Sequence, residues 1–352
     1  MDKDAATGAG AEAEDRFDAV EIHFLLLFPE LVEELGGDVR ALLAEIGLDA
    51  AAFLSGQQRG TYRQTVELLE LSARRLGVQD FGLRLGTLQA GQISSPLVQA
   101  MKHSPSFGEA LKFVTSHSYV HSRAALIWMR PTGSEGDVLL GHDILLDGLP
   151  HRTQAVEQIL LVAHHAAMEA TGGLVRARRI DFRHQPVSPL RTYRHIFGCE
   201  VRFGQAADCL LFRAGDLTVP TLSPDADAHA EVAAFIDAQY PQRRRPFHAR
   251  VRGILMHLIG AEGCTNDRVA AALNLHGRTL HRRLQEEGTS FQQIKNEVRR
   301  DMMLYYLQRT DIDLSHVSER VGFAEQSAMT RYCRKCFDLS PTQLRAEARR
   351  RS

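Results

Sequence analysis

The final third of the chain carries one pattern twice, and that repetition constrains the fold more than any other feature. Val317 to Arg345 reads VSERVGFAEQSAMTRYCRKCFDLSPTQLR. A short helix with Val317 and Val321 on one face is expected to stop at Gly322, where a glycine permits a tight turn. Phe323 plugs that turn, and a second helix is expected from about Glu325 to Cys336. Helix, glycine turn and second helix form the helix-turn-helix pattern, whose second helix enters a major groove. Gln326, Ser327, Thr330, Arg331, Arg334 and Lys335 are the expected outward positions of that helix, and all can donate to base edges or phosphates.

A similar unit precedes it. Asp267 to Leu273 (DRVAAAL) reads as a helix in which Ala270 and Ala271 allow close approach, and Asn274 to Gly277 turns the chain. Arg278 to Glu286 follows, with Leu280 and Leu284 inward and Arg278, His281, Arg282 and Arg283 left facing outward or towards a nucleic-acid backbone. Between the units, Ser290 with Gln293 predicts a capping box. Phe291, Ile294, Val298, Met302 and Tyr305 then recur at helical spacing to Gln308. Such a helix is about 28 Å long at about 1.5 Å per residue. Successive major-groove faces repeat at about 34 Å, so one linking helix could present two second helices to adjacent turns of DNA, one monomer reading two half-sites.

These stretches resemble the AraC/XylS family of bacterial transcription regulators. The resemblance runs through RTLHRRLQEEGTSFQQIKNEVRRDMMLYYLQ and VGFAEQSAMTRYCRKCFDLSPTQLR, and its most specific parts are the Gly322-Phe323 pair, the helix bearing Arg331 and the closing SPTQLR. Three positions depart from the family pattern: Ser318 where alanine is usual, Met329 where phenylalanine is usual, and Asp338 where glycine is commonest. The resemblance implies double-stranded promoter or operator DNA and RNA polymerase as partners. It also implies a small-molecule effector of unknown identity, and leaves a homodimer open.

Charge is divided in the same way. The whole chain has 42 Lys+Arg against 43 Asp+Glu, a net of −1, which alone argues against nucleic acid. Residues 246–352 hold 18 basic and 12 acidic side chains, whereas residues 1–245 hold 24 and 31. A basic end on an acidic body fits a DNA reader joined to a domain that does not touch DNA.

The front of the chain mixes helix and strand signals. Leu42–Phe53 reads as a short helix. Thr61 with Gln64 predicts a capping box opening a helix over Tyr62–Leu76, and Ser106 with Glu109 another, running to about Tyr119. Phe81–Gly86 is a compact turn and helix. Arg123–Met129 and Val138–Leu146 are strand-like runs around TGSEGD, a hairpin signal. Thr153–Thr171 is a long helix closed by Gly172-Gly173, and Arg179–His184, Val201–Phe203 and Leu210–Phe212 are short strands.

The expected fold class is therefore an α+β N-terminal sensor domain followed by an all-α C-terminal domain with two helix-turn-helix units joined by a long helix. The expected boundaries are a disordered tail over 1–16, the α+β domain over 17–240, a basic linker over 241–246 and the DNA-binding domain over 247–352. In the linker, two prolines bracket three arginines, which suits an exposed stiff connector or an extra phosphate contact. The front half also looks like the "arabinose-binding" sensor of one AraC branch, through FGLRLG (81–86), SPSFGEALKF (104–113), IDFRH (180–184) and FGCEVRFG (197–204). That label does not establish arabinose as the ligand.

Other constellations carry less. His117 and His121 stand one helical turn apart, yet the HExxH glutamate is missing and spacing nominates no third ligand, so no metal is expected. Cys333 and Cys336 have CxxC spacing inside a recognition helix and read as structural thiols. Five scattered cysteines and no secretory opening favour a reducing cytoplasm, and no apolar run spans a membrane. No cofactor motif is present and no catalytic role is expected. AraC-type units also occur fused to DNA-repair methyltransferases, but neither Cys199 (FGCEV) nor Cys209 (ADCLL) has their PCHR-like setting. An effector-independent architectural DNA binder is the other alternative, and it leaves the large front domain unexplained. For the sensor, the strand pair and the long helix are the expected walls of an apolar pocket, with Tyr119, Trp128 and His142 as candidate pocket residues.

Overall fold

The computed structural model describes residues 17–20, 22–55, 60–133, 136–149, 151–240, 245–260 and 264–351. The expected tail (1–16), most of the expected linker (241–244) and the tip of the expected hairpin (134–135) lie outside the described residues.

The front domain opens with a two-stranded antiparallel pair, β1 (Ala19–Val20) and β2 (Gly60–Thr61), in the register Ala19 to Thr61. Between them run α1 (Phe28–Glu34), α2 (Val39–Glu45) and α3 (Ala50–Leu54). The single helix expected over Leu42–Phe53 is two. Gly47 adopts φ 74°, and the Asp49 carboxylate accepts from Ala52 N at 2.6 Å, so the chain turns and starts afresh. The helix α4 (Tyr62–Leu76) opens with the expected reciprocal cap: Gln64 N donates to Thr61 Oγ1 at 3.1 Å and Thr61 N to Gln64 Oε1 at 3.0 Å. Then come α5 (Phe81–Gln89), α6 (Pro96–His103) and α7 (Phe107–Ser116). Ser106 caps α7 without a reciprocal bond, because the Glu109 carboxylate accepts from Lys112 Nζ instead.

The sheet follows: β3 (Ala125–Thr132) and β4 (Asp137–Ile144), the long helix α8 (Thr153–Ala170), β5 (Arg179–Asp181), α9 (Leu190–Phe197), β6 (Glu200–Arg202) and β7 (Cys209–Phe212). The strand order is β3-β4-β7-β5-β6, antiparallel except for the β5–β6 pair. The FGLRLG segment has a packing reason. A Cβ at Gly82 would stand 2.1 Å from the Gln154 carbonyl oxygen, and one at Gly86 would stand 3.2 Å from that of Gln158. Two glycines one helical turn apart thus let α5 lie directly on the α8 backbone. Helix α10 (Ala226–Gln239) closes the domain.

The second domain is all-helical: α11 (Phe247–Leu258), α12 (Asn266–Ala272), α13 (Gly277–Glu286), α14 (Phe291–Arg309), α15 (Leu314–Arg320), α16 (Gln326–Phe337) and α17 (Pro341–Arg351). It has two cores. Phe291, Ile294 and Val298, from the first half of α14, pack with α11–α13, while Met303, Tyr306 and Leu307, from its second half, pack with α15–α17. Met302, expected as core, is half-buried between the two. Ser290 caps α14 at Gln293 N (3.2 Å), but the Gln293 amide donates to Glu297 rather than closing a box. The SPTQ segment does close one: Gln343 N donates to Ser340 Oγ at 3.3 Å and Ser340 N to Gln343 Oε1 at 2.8 Å.

The family departures are accommodated. Met329 is fully buried in the second core, and Ser318 is buried with its hydroxyl 3.5 Å from the Phe323 carbonyl. Asp338 ends α16 in the left-handed region at φ 57°, the conformation that makes glycine commonest there.

Gly322 is the tightest point of the second unit. It has φ 76°, and a Cβ there would lie 2.1 Å from the Ile259 carbonyl oxygen at the end of α11. Gly322→Ala is therefore expected to lower stability by about 2–4 kcal/mol, through left-handed strain and a backbone clash together. Equilibrium denaturation of the full chain measures this, and a loss below about 1 kcal/mol would mean the turn relaxes freely.

Candidate DNA-contacting surface and sensor cavity

On α13, Leu280 and Leu284 point into the first core, which leaves Arg278, His281 and Arg282 exposed. Arg282 sits 3.8 Å from Glu286 with both side chains mostly in solvent, a loose pair worth little. Arg283 is half-buried, its guanidinium 5.5 Å over the Phe247 ring, so packing already holds it. On α16, Met329 and Cys333 face the second core. Gln326, Ser327, Arg331, Arg334 and Lys335 are exposed, and among the described residues the last three make no ion pair. Thr330 is half-buried and its hydroxyl donates to Gln326 O at 2.9 Å, while Ser327 Oγ donates to Glu325 at 3.0 Å. Burial raises the Cys333 thiol pKa to about 11, and Cys336 beside the surface is also a free thiol.

Several positioning residues were assigned no role from the sequence. Arg299, on the middle of α14, donates to the Val321 and Gly322 carbonyls at 2.9 and 3.2 Å and lies over the Phe323 ring, which ties the second turn to the linking helix. Arg345, within SPTQLR, donates to Ile312 O at 2.7 Å and fastens α17. Glu287 accepts from Phe247 N (2.6 Å) and His248 N (2.8 Å) at the start of α11. Although burial opposes it, those backbone donors hold the Glu287 carboxylate below its usual range. An arginine or glutamate has ordinary reasons to be on a helix surface, so residue type alone does not single these three out.

The front domain contains a cavity of about 110 Å³ between α6, α8 and the sheet. Its walls include Leu97, Met101, Ile127, Leu140, Ile159 and Ala163, and His142 is among the few polar side chains on it. Of the three expected pocket residues, His142 lines the cavity and Tyr119 and Trp128 do not. Tyr119 is half-buried on the single turn Ser118–Val120. Ile127 faces the cavity, so Trp128, the next residue along the strand, faces the other way. Its indole covers Gly141, where a Cβ would come within 2.0 Å of it. His117 Nδ1 lies 2.8 Å from the Phe113 carbonyl, whereas the His121 ring meets that of Phe24 at a tilt, centroids 3.7 Å apart, and both line the cavity.

A family model described as the arabinose-binding domain of AraC transcription regulators, N-terminal, matches residues 36–221, more than half of the chain, and a helix-turn-helix domain model matches residues 269–347. The chain belongs to the AraC family of transcription regulators. It is 28% identical over 319 residues to the HTH-type transcriptional regulator VirS of Mycobacterium tuberculosis, covering 91% of this chain and 94% of that one. It is 24% identical over 325 residues to the ornithine utilization regulator of Pseudomonas aeruginosa, covering 90% and 93%. The solved transcriptional regulator CdpR of Pseudomonas aeruginosa aligns with 92% of this chain and 98% of its own, at 17% identity and a TM-score of 0.47. No helix among the described residues is long and apolar enough to cross a membrane.

In this AraC-family chain the two domains touch through buried charge. Arg183 Nη2 donates to Asp143 Oδ1 at 3.0 Å, and His257 Nε2 of α11 lies 2.6 Å from Asp143 Oδ2. Burial pushes the Asp143 pKa up, but Arg183 and His257 outweigh it and hold the carboxyl well below its usual range. The ring of His257 meets Trp128 edge to face at 5.1 Å, and Gly253 of α11 leaves room for Leu126 and Leu145. Arg320 of α15 donates to the carbonyls of Gly204 and Gln205, at 2.8 and 3.1 Å. Arg245, from the expected basic linker, is turned onto the sensor. It donates to the Arg123 and Ala125 carbonyls and to Ser118 Oγ.

His142 is fully enclosed, and burial holds its pKa at about 4; His164, also buried, is likewise held at about 4. Unfolded histidine takes up a proton near pH 6.5, which the folded chain refuses until about pH 4. Stability should thus fall as pH drops through about 6.5 and stop falling near 4, with His142 contributing up to about 3 kcal/mol of that loss. Urea denaturation at pH 7.5 and 4.5 measures the slope, and His142→Leu should flatten it. An unchanged slope in that variant would assign the acid sensitivity elsewhere.

Proposed function

We propose that this chain is an effector-responsive, sequence-specific regulator that reads two successive major-groove faces of double-stranded DNA. The observation that supports the reading best is the set of exposed side chains on α13 and α16, helices whose inner faces are seated on the two halves of one nineteen-residue helix. A straight helix of that size extends about 28 Å, close to the repeat of a groove face at about 34 Å. Arg282 and Arg331 suit guanine, Gln326 suits adenine, and Arg278, His281, Arg334 and Lys335 supply phosphate contact, with Ser327 and Thr330 as lesser donors. Arg283 takes a smaller part because Phe247 already engages it.

Binding to sites selected from a randomised DNA library tests this. Arg331→Ala and Arg282→Ala should each weaken binding by about 1–3 kcal/mol and lose discrimination at one base position. Lys335→Ala should weaken all sequences alike and shallow the dependence on log salt by about one. Uniform loss from Arg331→Ala would make it a phosphate contact rather than a base reader.

The sensor's regulatory role is supported by its cavity and by its contacts with α11 and with the second helix-turn-helix unit. A ligand that binds one arrangement of the domains better than another shifts DNA occupancy by that difference in affinity. Deleting residues 1–240 should retain DNA binding and abolish effector dependence. A promoter reporter whose response to effector is the same with and without those residues would overturn the regulatory role.

A further inference from the structure

We infer that the sensor cavity takes a small uncharged molecule, hydrocarbon over most of its surface, with one oxygen acceptor that meets His142 Nδ1. The inference rests on the effector-responsive reading and specifies its ligand. The walls come from leucine, isoleucine, valine, alanine and methionine of α6, α8 and the sheet, and among the described residues no lysine, arginine, aspartate or glutamate lines the cavity. A carboxylate seated there would be stripped of water with no cation to receive it. A pentose would bury several hydroxyls against hydrocarbon, each at a penalty of the kind an unmade hydrogen bond exacts. The sugar that gives this type of domain its label is therefore a poor occupant of this cavity.

Ser95, His121 and His142 are the polar side chains that interrupt the hydrocarbon among the described residues, and His142 has a ring nitrogen to offer. His142 is 4% exposed; its Nε2 lies 3.2 Å from the Tyr62 hydroxyl and its Nδ1 has no hydrogen-bond partner among the described residues. With Tyr62 donating to Nε2, the ring proton sits on Nδ1 and seeks an acceptor. A buried donor without a partner is unfavourable, and a ligand oxygen beside it relieves that. The space is comparable with an apolar cavity of about 150 Å³ that takes benzene, so one ring or a short chain is the right bulk.

His142 also links the cavity to the domain contact. It stands next to Asp143 on β4, and alternation along the strand sends the two side chains to opposite faces. Asp143 meets His257 of α11, against which Trp128 packs. A ligand seated on His142 thus acts on the strand that carries the domain contact, and Trp128, the only tryptophan, reports there.

Calorimetric titration of the full chain with benzyl alcohol, heptan-1-ol, benzoate, heptanoate and L-arabinose tests the ligand class. At least one alcohol should bind saturably, at least tenfold more tightly than its carboxylate and than arabinose. Ala163→Phe, which fills the cavity, should abolish that binding, and the smaller Ala166→Leu should weaken it if the first variant does not fold. His142→Leu should weaken the alcohol about fivefold and leave toluene unchanged. Carboxylate or arabinose binding as tight as alcohol, no saturable binding of either alcohol, or full binding after cavity filling would overturn the inference. Affinity for library-selected DNA, measured in the same solutions, separates it from the reading beneath it. Alcohol binding with no change in DNA affinity upholds the ligand class and counts against effector response. A DNA affinity that shifts with arabinose alone does the reverse.

Discussion

One helix holds both helix-turn-helix units in place. The first half of α14 completes one hydrophobic core and its second half completes another. A packed interior does not deform continuously, so each recognition helix inherits its orientation from the same rod. Arg299 reinforces this from the middle of the rod by taking the two carbonyls of the second turn. Gly322 has no side chain because the end of α11 occupies that space. Remove the shared helix and the two units have no fixed relation, and the spacing that would let one chain read two groove faces goes with it.

The sensor is packed against that same assembly. Arg320 on the second unit, Arg245 ahead of the first, and His257 on α11 each reach atoms of the front domain. His257 meets Asp143, whose pairing with Arg183 lies inside the front domain with both side chains almost wholly buried. Breaking one member of such a pair leaves an uncompensated buried charge, a penalty of about 3–5 kcal/mol. Asp143 is thereby fixed, and with it the strand that faces the cavity on one side and α11 on the other.

Much of this is legible in the amino-acid sequence. The two helix-turn-helix units, the linking helix, the reciprocal cap at Thr61 and the long helix α8 all rest on interactions spanning a few residues. Those are glycine at positive φ, a hydroxyl reaching the third amide, and apolar side chains every three or four positions. Most outward positions of α13 and α16 follow from the same periodicity, whereas reading 42–53 as one helix passed over the break that Gly47 and Asp49 impose.

Tertiary structure alone decided the remainder. Trp128 and His142 both read as pocket residues in sequence, but strand alternation and a facing glycine send Trp128 to the domain contact and leave His142 on the cavity. Arg245 belongs to a basic run that suits phosphate, yet three acceptors of the sensor claim it. Arg320 reaches a carbonyl 116 residues away in the chain. Local patterning fixes which faces are apolar and where helices begin and end. Which face meets which is set by packing between segments remote in sequence, where close approach and buried charge choose the partner.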